Sequence, residues 1–126
     1  MTRIGTVYGE ALYSLAKEEG LSGQILEEIT ALEQSFAQEP AFLRLLDAPN
    51  LTKEERCQVL EDSFREKLHD YVLNFLKLLT EKERRYVRAH VPYTVSLTKE
   101  MMEKNQELKE EVYSNKDGWI IKPEDS

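Results

Sequence analysis

Between Tyr71 and Leu79 the chain reads YVLNFLKLL, and only Asn74 and Lys77 interrupt the apolar run. Val72, Phe75, Leu76 and Leu79 form the i, i+3, i+4, i+7 stripe of an amphipathic helix, yet Tyr71, Leu73 and Leu78 fall outside it. A helix that is apolar nearly all round is central to a bundle or covered on its outer side. The pattern predicts such a helix here, with a partner on its far flank.

The same periodicity organises the rest of the chain. A first segment from about Arg3 to Glu19 fans Ile4, Val7, Tyr8, Ala11, Leu12, Leu15 and Ala16 across roughly half of a helical cylinder. That is wider than one core contact needs. Gly5, Gly9, Ala11 and Ala16 keep parts of the surface flat, so another helix can approach closely, and Gly20 reads as the C-terminal cap. Ser22 reads as the N-cap of a second helix to about Gln38, with Ile25, Ile29, Leu32 and Phe36 inward. Pro40 suits the first turn of a short third helix with Phe42, Leu45 and Leu46 inward, stopped by Ala48-Pro49.

Thr52-Lys53-Glu54-Glu55 has the form of a capping box and opens a fourth helix to about Lys67, with Cys57, Leu60, Phe64 and Leu68 inward. Thr80-Glu81-Lys82-Glu83 has the same form, which predicts a break near Thr80 and a new helix over roughly Lys82 to His90. Pro92 predicts a kink or restart. From Tyr93 to Tyr113 a thin stripe of Leu97, Met101, Leu108 and Val112 runs through a strongly charged setting, as in a solvent-exposed arm or half of a helix pair. Ser114 to Gly118 reads as a turn, and Trp119-Ile120-Ile121 as a strand-like piece with no partner strand. The expected fold is therefore all-α: a six-helix bundle over residues 1–92, then a helical arm and short irregular tail over 93–126.

Composition agrees, since 33% of the 126 residues are charged while Gly and Pro are scarce. The net charge of -7 argues against general nucleic-acid binding, which needs a basic face. Lys82, Arg84, Arg85, Arg88 and His90 form the one basic cluster, read as a solvated helix flank or else a phosphate or RNA contact. A single cysteine, Cys57, excludes an internal disulfide, suits a reducing compartment and reads as a small buried hydrophobe. No signal peptide opens the sequence and no apolar run approaches a membrane span, so direct membrane insertion is not expected and the Asn50-Leu51-Thr52 sequon reads as accidental. Catalytic, cofactor and metal motifs are missing: there is no Gly-rich phosphate loop, no GxSxG and no Cys/His ligand spacing, and His69 and His90 stand alone. The residues alone describe an all-helical binding module, with no catalytic, cofactor or metal residues expected.

Two segments reach further. Tyr8-Gly9-Glu10-Ala11-Leu12-Tyr13-Ser14-Leu15-Ala16 resembles the YAxALFxLA opening of the delta subunit of bacterial F-type ATP synthases, the family of the oligomycin-sensitivity-conferring protein. Pro40, the Leu51-Thr52-Lys53-Glu54-Glu55-Arg56 stretch and Asn74-Phe75-Leu76-Lys77-Leu78-Leu79 followed by Arg84 agree in order and spacing, over about residues 3 to 92. Where the family usually has Gly-Arg, this chain has Glu83-Arg84, so the turn before the last bundle helix is expected to be more helical. Residues 93 to 126 do not resemble the family's small α/β second domain. The sequence is then a piece of a longer chain or a short divergent member.

The resemblance implies a non-catalytic stator module of the peripheral stalk. It would lie on the cytoplasmic face of the plasma membrane as part of the synthase complex, gripping the N-terminal helix of one alpha subunit between its first and fifth helices. Carried over by position, the groove residues are Tyr8 and Ala11 on the first helix and Asn74 and Leu78 on the fifth, with Leu12 and Leu15 shared between groove and core. The stalk b subunit is implied as a partner only where the family's C-terminal domain is present. The competing expectation is a stand-alone helical interaction or regulatory module that dimerises through the 93–113 helix.

Overall fold

A computed structural model of the chain describes residues 3–116, and the side chains of 6–104. Six α-helices follow one another: α1 (Arg3–Glu18), α2 (Ser22–Gln38), α3 (Pro40–Leu46), α4 (Lys53–Phe64), α5 (Asp70–Lys82) and α6 (Val87–Lys116). A single 3-10 turn over Arg84–Tyr86 joins α5 to α6, so the Glu83-Arg84 junction is helical to that extent. There is no strand among the described residues, and no described helix is long and apolar enough to cross a membrane. The molecule is the all-α bundle that the periodicity predicts.

Helix α1 closes on Gly20, whose φ of 71° lies in the left-handed region that an L side chain rarely adopts. The N–H of Leu21 returns to the Ala16 carbonyl at 2.8 Å and that of Gly20 to Lys17 at 3.2 Å, which is the Schellman pattern. This turn also corrects the expected start of α2. Ser22 is its first helical residue rather than its cap; Leu21 holds the cap position without a side-chain bond and packs against the core instead. Ile25, Ile29, Leu32 and Phe36 are all buried, as their spacing predicts.

In α3 the inward positions are Leu43 and Leu46, while Leu45, expected inside, is 45% exposed. Phe42 sets the helix's rotation. It lies between Phe36, with ring centroids 6.5 Å apart, and Phe64, edge-on at 5.4 Å, which turns Leu45 about 100° off the core direction. The Thr52 capping box is present in both directions: Thr52 N–H to Glu55 Oε1 at 2.8 Å, and Glu55 N–H to Thr52 Oγ1 at 3.1 Å. Helix α4 stops at Phe64, three residues short of the expected end. There the Phe64 carbonyl accepts from both Lys67 and Leu68 at 2.9 Å. His69 then caps α5, its Nδ1 accepting from Tyr71 N–H at 3.0 Å, while Glu28 of α2 accepts the His69 N–H at 2.7 Å.

The predicted break near Thr80 is absent. Thr80 falls on the buried face of α5 between Leu73 and Leu76, and its hydroxyl donates to the Leu76 carbonyl at 2.8 Å inside the helix. A buried threonine satisfied by its own i−4 carbonyl has no need to act as a cap. Glu83 instead ends α5. Helix α6 likewise runs unbroken through Pro92. The ring deprives the Arg88 carbonyl of its usual donor, and Arg88 lies on the exposed side of the helix. The separate sixth helix and the arm expected after it are thus one element. The boundary expected between 92 and 93 falls within it, and Val87, Val91, Val95 and Met102 belong to the same core. Leu108 and Val112 lie outside the described side chains. The turn expected over Ser114 to Gly118 is helical as far as Lys116, and the strand-like piece from Trp119 lies outside the described residues.

Helix α6 packs most extensively on α2 and α1, and α5 lies against α1 and α4. Each fully buried Ile, Leu or Val along these seams contributes about 1.5–3 kcal/mol. Arg56, at 2% exposure, ties three elements together. Its guanidinium binds Glu81 of α5 through two bonds of 2.8 and 3.0 Å and the Leu51 carbonyl at 2.7 Å. The bond to Glu81 raises its pKa further, so it stays charged in the interior. On the solvent side of the same seam, Glu61 accepts from Arg65 at 2.8 and 2.6 Å and also pairs with Lys77 of α5. The Arg65 bonds first, and Lys77 next, hold its carboxyl down to about 2.

Candidate functional site

The candidate groove residues lie on α1 and α5, which pack against each other. On α1 the core direction is set by Gly9, Leu12 and Ala16, all buried. Leu12, only 4% exposed, belongs to the core cluster in this chain. Tyr8, Ala11 and Leu15 sit at i, i+3, i+7 on the flank beside that direction. Tyr8 and Leu15 are half-buried and Ala11 is exposed. On α5 the buried face carries Val72, Phe75, Leu76 and Leu79, and Tyr71, Asn74 and Leu78 occupy the flank at the same i, i+3, i+7 spacing. Tyr71 is half-buried against the core, Asn74 is exposed and Leu78 is 48% exposed. Of the three residues that the α5 stripe left over, Leu73 is covered completely, whereas Tyr71 and Leu78 are not.

Each of the two packed helices therefore keeps an outward stripe that is apolar except for one small or polar residue, Ala11 or Asn74. Val7, at 53% exposure, extends the α1 stripe by one position, i−4 from Ala11. In the sequence Val7 and Tyr71 stand out as apolar surplus, without a place at the groove. Their i−4 and i−3 spacing from Ala11 and Asn74 was the available signal.

The chemistry-bearing side chains are engaged in structure. His69 caps α5, and His90 Nδ1 lies 2.9 Å from Glu83 Oε1. Cys57 is half-buried. Among the described residues no cluster of three His, Cys, Asp or Glu is placed to hold a metal ion. The basic cluster divides: Arg88 pairs with Asp47 at 3.1 Å, whereas Lys82, Arg84 and Arg85 are exposed and line a cleft beside Tyr86.

Residues 4–117 match the family described as ATP synthase delta (OSCP) subunit, a longer span than the motifs alone covered. The ATP synthase subunit delta of Alkaliphilus oremlandii is 34% identical over 77 residues, which is 61% of this chain and 43% of that protein. That of Lachnoclostridium phytofermentans is 35% identical over 81 residues, 64% of this chain and 44% of the relative. That of Gloeobacter violaceus is 34% identical over 83 residues, 65% and 45% respectively. The aligned regions thus span less than half the length of these relatives. No solved structure gives a significant match. With the family pattern running through nearly all of its described bundle, the chain belongs to the ATP synthase delta (OSCP) subunit family.

Proposed function

We propose that this bundle is a non-catalytic stator module of an ATP synthase peripheral stalk, and that it seats the N-terminal helix of an alpha subunit along α1 and α5. The observation that carries the reading is the pair of matched stripes, Tyr8/Ala11/Leu15 and Tyr71/Asn74/Leu78, left partly uncovered on two helices that pack together. An amphipathic helix docks by laying its own i, i+3, i+4, i+7 anchors into such a furrow. Ala11 leaves room for it, Leu78 and Val7 offer apolar contact, and the Asn74 amide sets register at a wet rim. Leu12 acts from beneath, by holding α1 in place. In this reading the module sits peripherally on the cytoplasmic face of the plasma membrane, within the complex. A contact with the stalk b subunit is assigned only to a chain that carries the family's C-terminal domain.

The alternative, a dimer through the 93–113 helix, has less support. Thr94, Val95, Thr98 and Met102 are already buried inside this chain's own bundle. The deciding experiment is a titration of a synthetic alpha-subunit N-terminal peptide against wild type and Ala11→Trp, with circular dichroism as the folding control. A folded Ala11→Trp that binds as well as wild type overturns the groove.

A further inference from the structure

The segment Asp47-Ala48-Pro49 and the α5–α6 turn enclose a cleft of about 740 Å³ at one end of the bundle. Lys82, Arg84 and Arg85 line it together with Tyr86, which is 57% exposed. Its carboxylates are already engaged, Asp47 with Arg88 at 3.1 Å and Glu83 with His90 at 2.9 Å. The three cations make no ion pair among the described residues. Three positive charges without an ion-pair partner among the described residues therefore border one opening, in a chain whose net charge is -7.

We propose that this cleft docks a short acidic peptide segment of a partner protein. The segment's carboxylates meet Lys82, Arg84 and Arg85, and one apolar side chain rests against Tyr86 and Pro49. Charge complementarity selects the occupant, and the volume lies within the roughly 300–1,000 Å³ typical of binding clefts. The arrangement suits carboxylates better than a phosphate. Its cations are exposed side chains on long stems, and two of the nearby backbone donors are spent: Tyr86 N–H on the Glu83 carbonyl at 2.8 Å, and Glu83 N–H on Leu79 at 2.9 Å. A long nucleic acid would meet the repulsion of the acidic chain. A short segment feels only the local field, which decays over about 8 Å at physiological salt. The cleft adjoins the end of the α5 stripe, where Lys82 follows Leu78 at i+4, but its charges do not depend on the groove reading.

The test titrates a fluorescent peptide of about twelve residues, built of paired glutamates, single leucines and one central phenylalanine, against the full chain at low salt. Saturable binding is expected, weakened about tenfold or more by Arg84→Glu with Arg85→Glu and severalfold by Tyr86→Ala. Lys67→Glu, an exposed reversal beyond the opposite end of α5, and Ala11→Trp should leave it unchanged, with circular dichroism confirming that each variant is folded. The proposal is overturned if the peptide does not bind, or if Lys67→Glu weakens it as much as the double reversal. Displacement of the peptide by inorganic phosphate or ATP at matched ionic strength would also overturn it, by marking a small-anion site.

Discussion

Gly9 of α1 lies so close to Thr98 of α6 that a methyl group at position 9 would sit 2.5 Å from Thr98 Oγ1. Thr98 is buried, and its hydroxyl is held by the Thr94 carbonyl at 2.8 Å, so it has no easy way to yield. The missing side chain at position 9 sets the separation of two helices that share one of the larger seams in the bundle.

Gly9→Ala should therefore destabilise the fold, although alanine is the better helix former. Overpacking costs about 1–3 kcal/mol and the propensity gain returns about 1, so a net loss of up to about 2 kcal/mol is expected by chemical denaturation. Thr98→Ala removes the clashing oxygen and should recover much of that loss in the double variant. Strict additivity of the two substitutions would show that the close approach is not the cause.

Arg56 and Glu81 invite a different substitution. Glu81→Ala leaves a guanidinium at 2% exposure with only the Leu51 carbonyl for company, which should cost about 3 kcal/mol. Replacing both, Arg56→Met with Glu81→Leu, should cost much less, because no buried charge is then stranded. Urea denaturation of the three proteins measures the difference.

Glu61 supplies a pH signature. Its folded carboxyl titrates at about 2 against an ordinary value of 4.5, so on acidification the unfolded chain takes up this proton first. The stabilisation is complete above about pH 4.5 and is lost as the pH falls towards 2. Wild type should lose stability more steeply than Glu61→Gln across that window, and the two should run parallel above it. Equal slopes in the acid limb would remove Glu61 from the list of titrating contacts.

Leu12 and Leu78 should separate folding from binding. Leu12→Ala opens the core and should cost about 2–5 kcal/mol. Leu78, 48% exposed, should change stability by no more than about 0.5 kcal/mol when cut to alanine, yet weaken the alpha-subunit peptide about tenfold. Thermal unfolding and the peptide titration read the two effects separately.

The sequence by itself determined the features whose physics lies within a few residues. Gly20 marks the end of α1 because only a left-handed residue closes that turn. Pro40 starts α3, Thr52 and Glu55 cap α4, and Ile25 to Phe36 declare one buried face. Tertiary structure decided the rest wherever one local pattern admits two outcomes. Thr80-Glu83 has the same form as Thr52-Glu55, yet Thr80 is buried and its hydroxyl turns inward to Leu76, so the helix continues. Pro92 should interrupt α6, but the core on both sides of it holds one axis through Val91 and Val95. Arg56, in sequence only the end of the Leu51–Arg56 stretch, is buried beside Glu81, which arrives from 25 positions away. The groove candidates show the same division: the family resemblance supplied Ala11, Asn74 and Leu78 by position and left Leu12 shared between groove and core, whereas only the packed bundle shows Leu12 buried. Local hydrogen bonds and dihedral preferences act between near neighbours in the chain, whereas burial is settled only when distant helices meet.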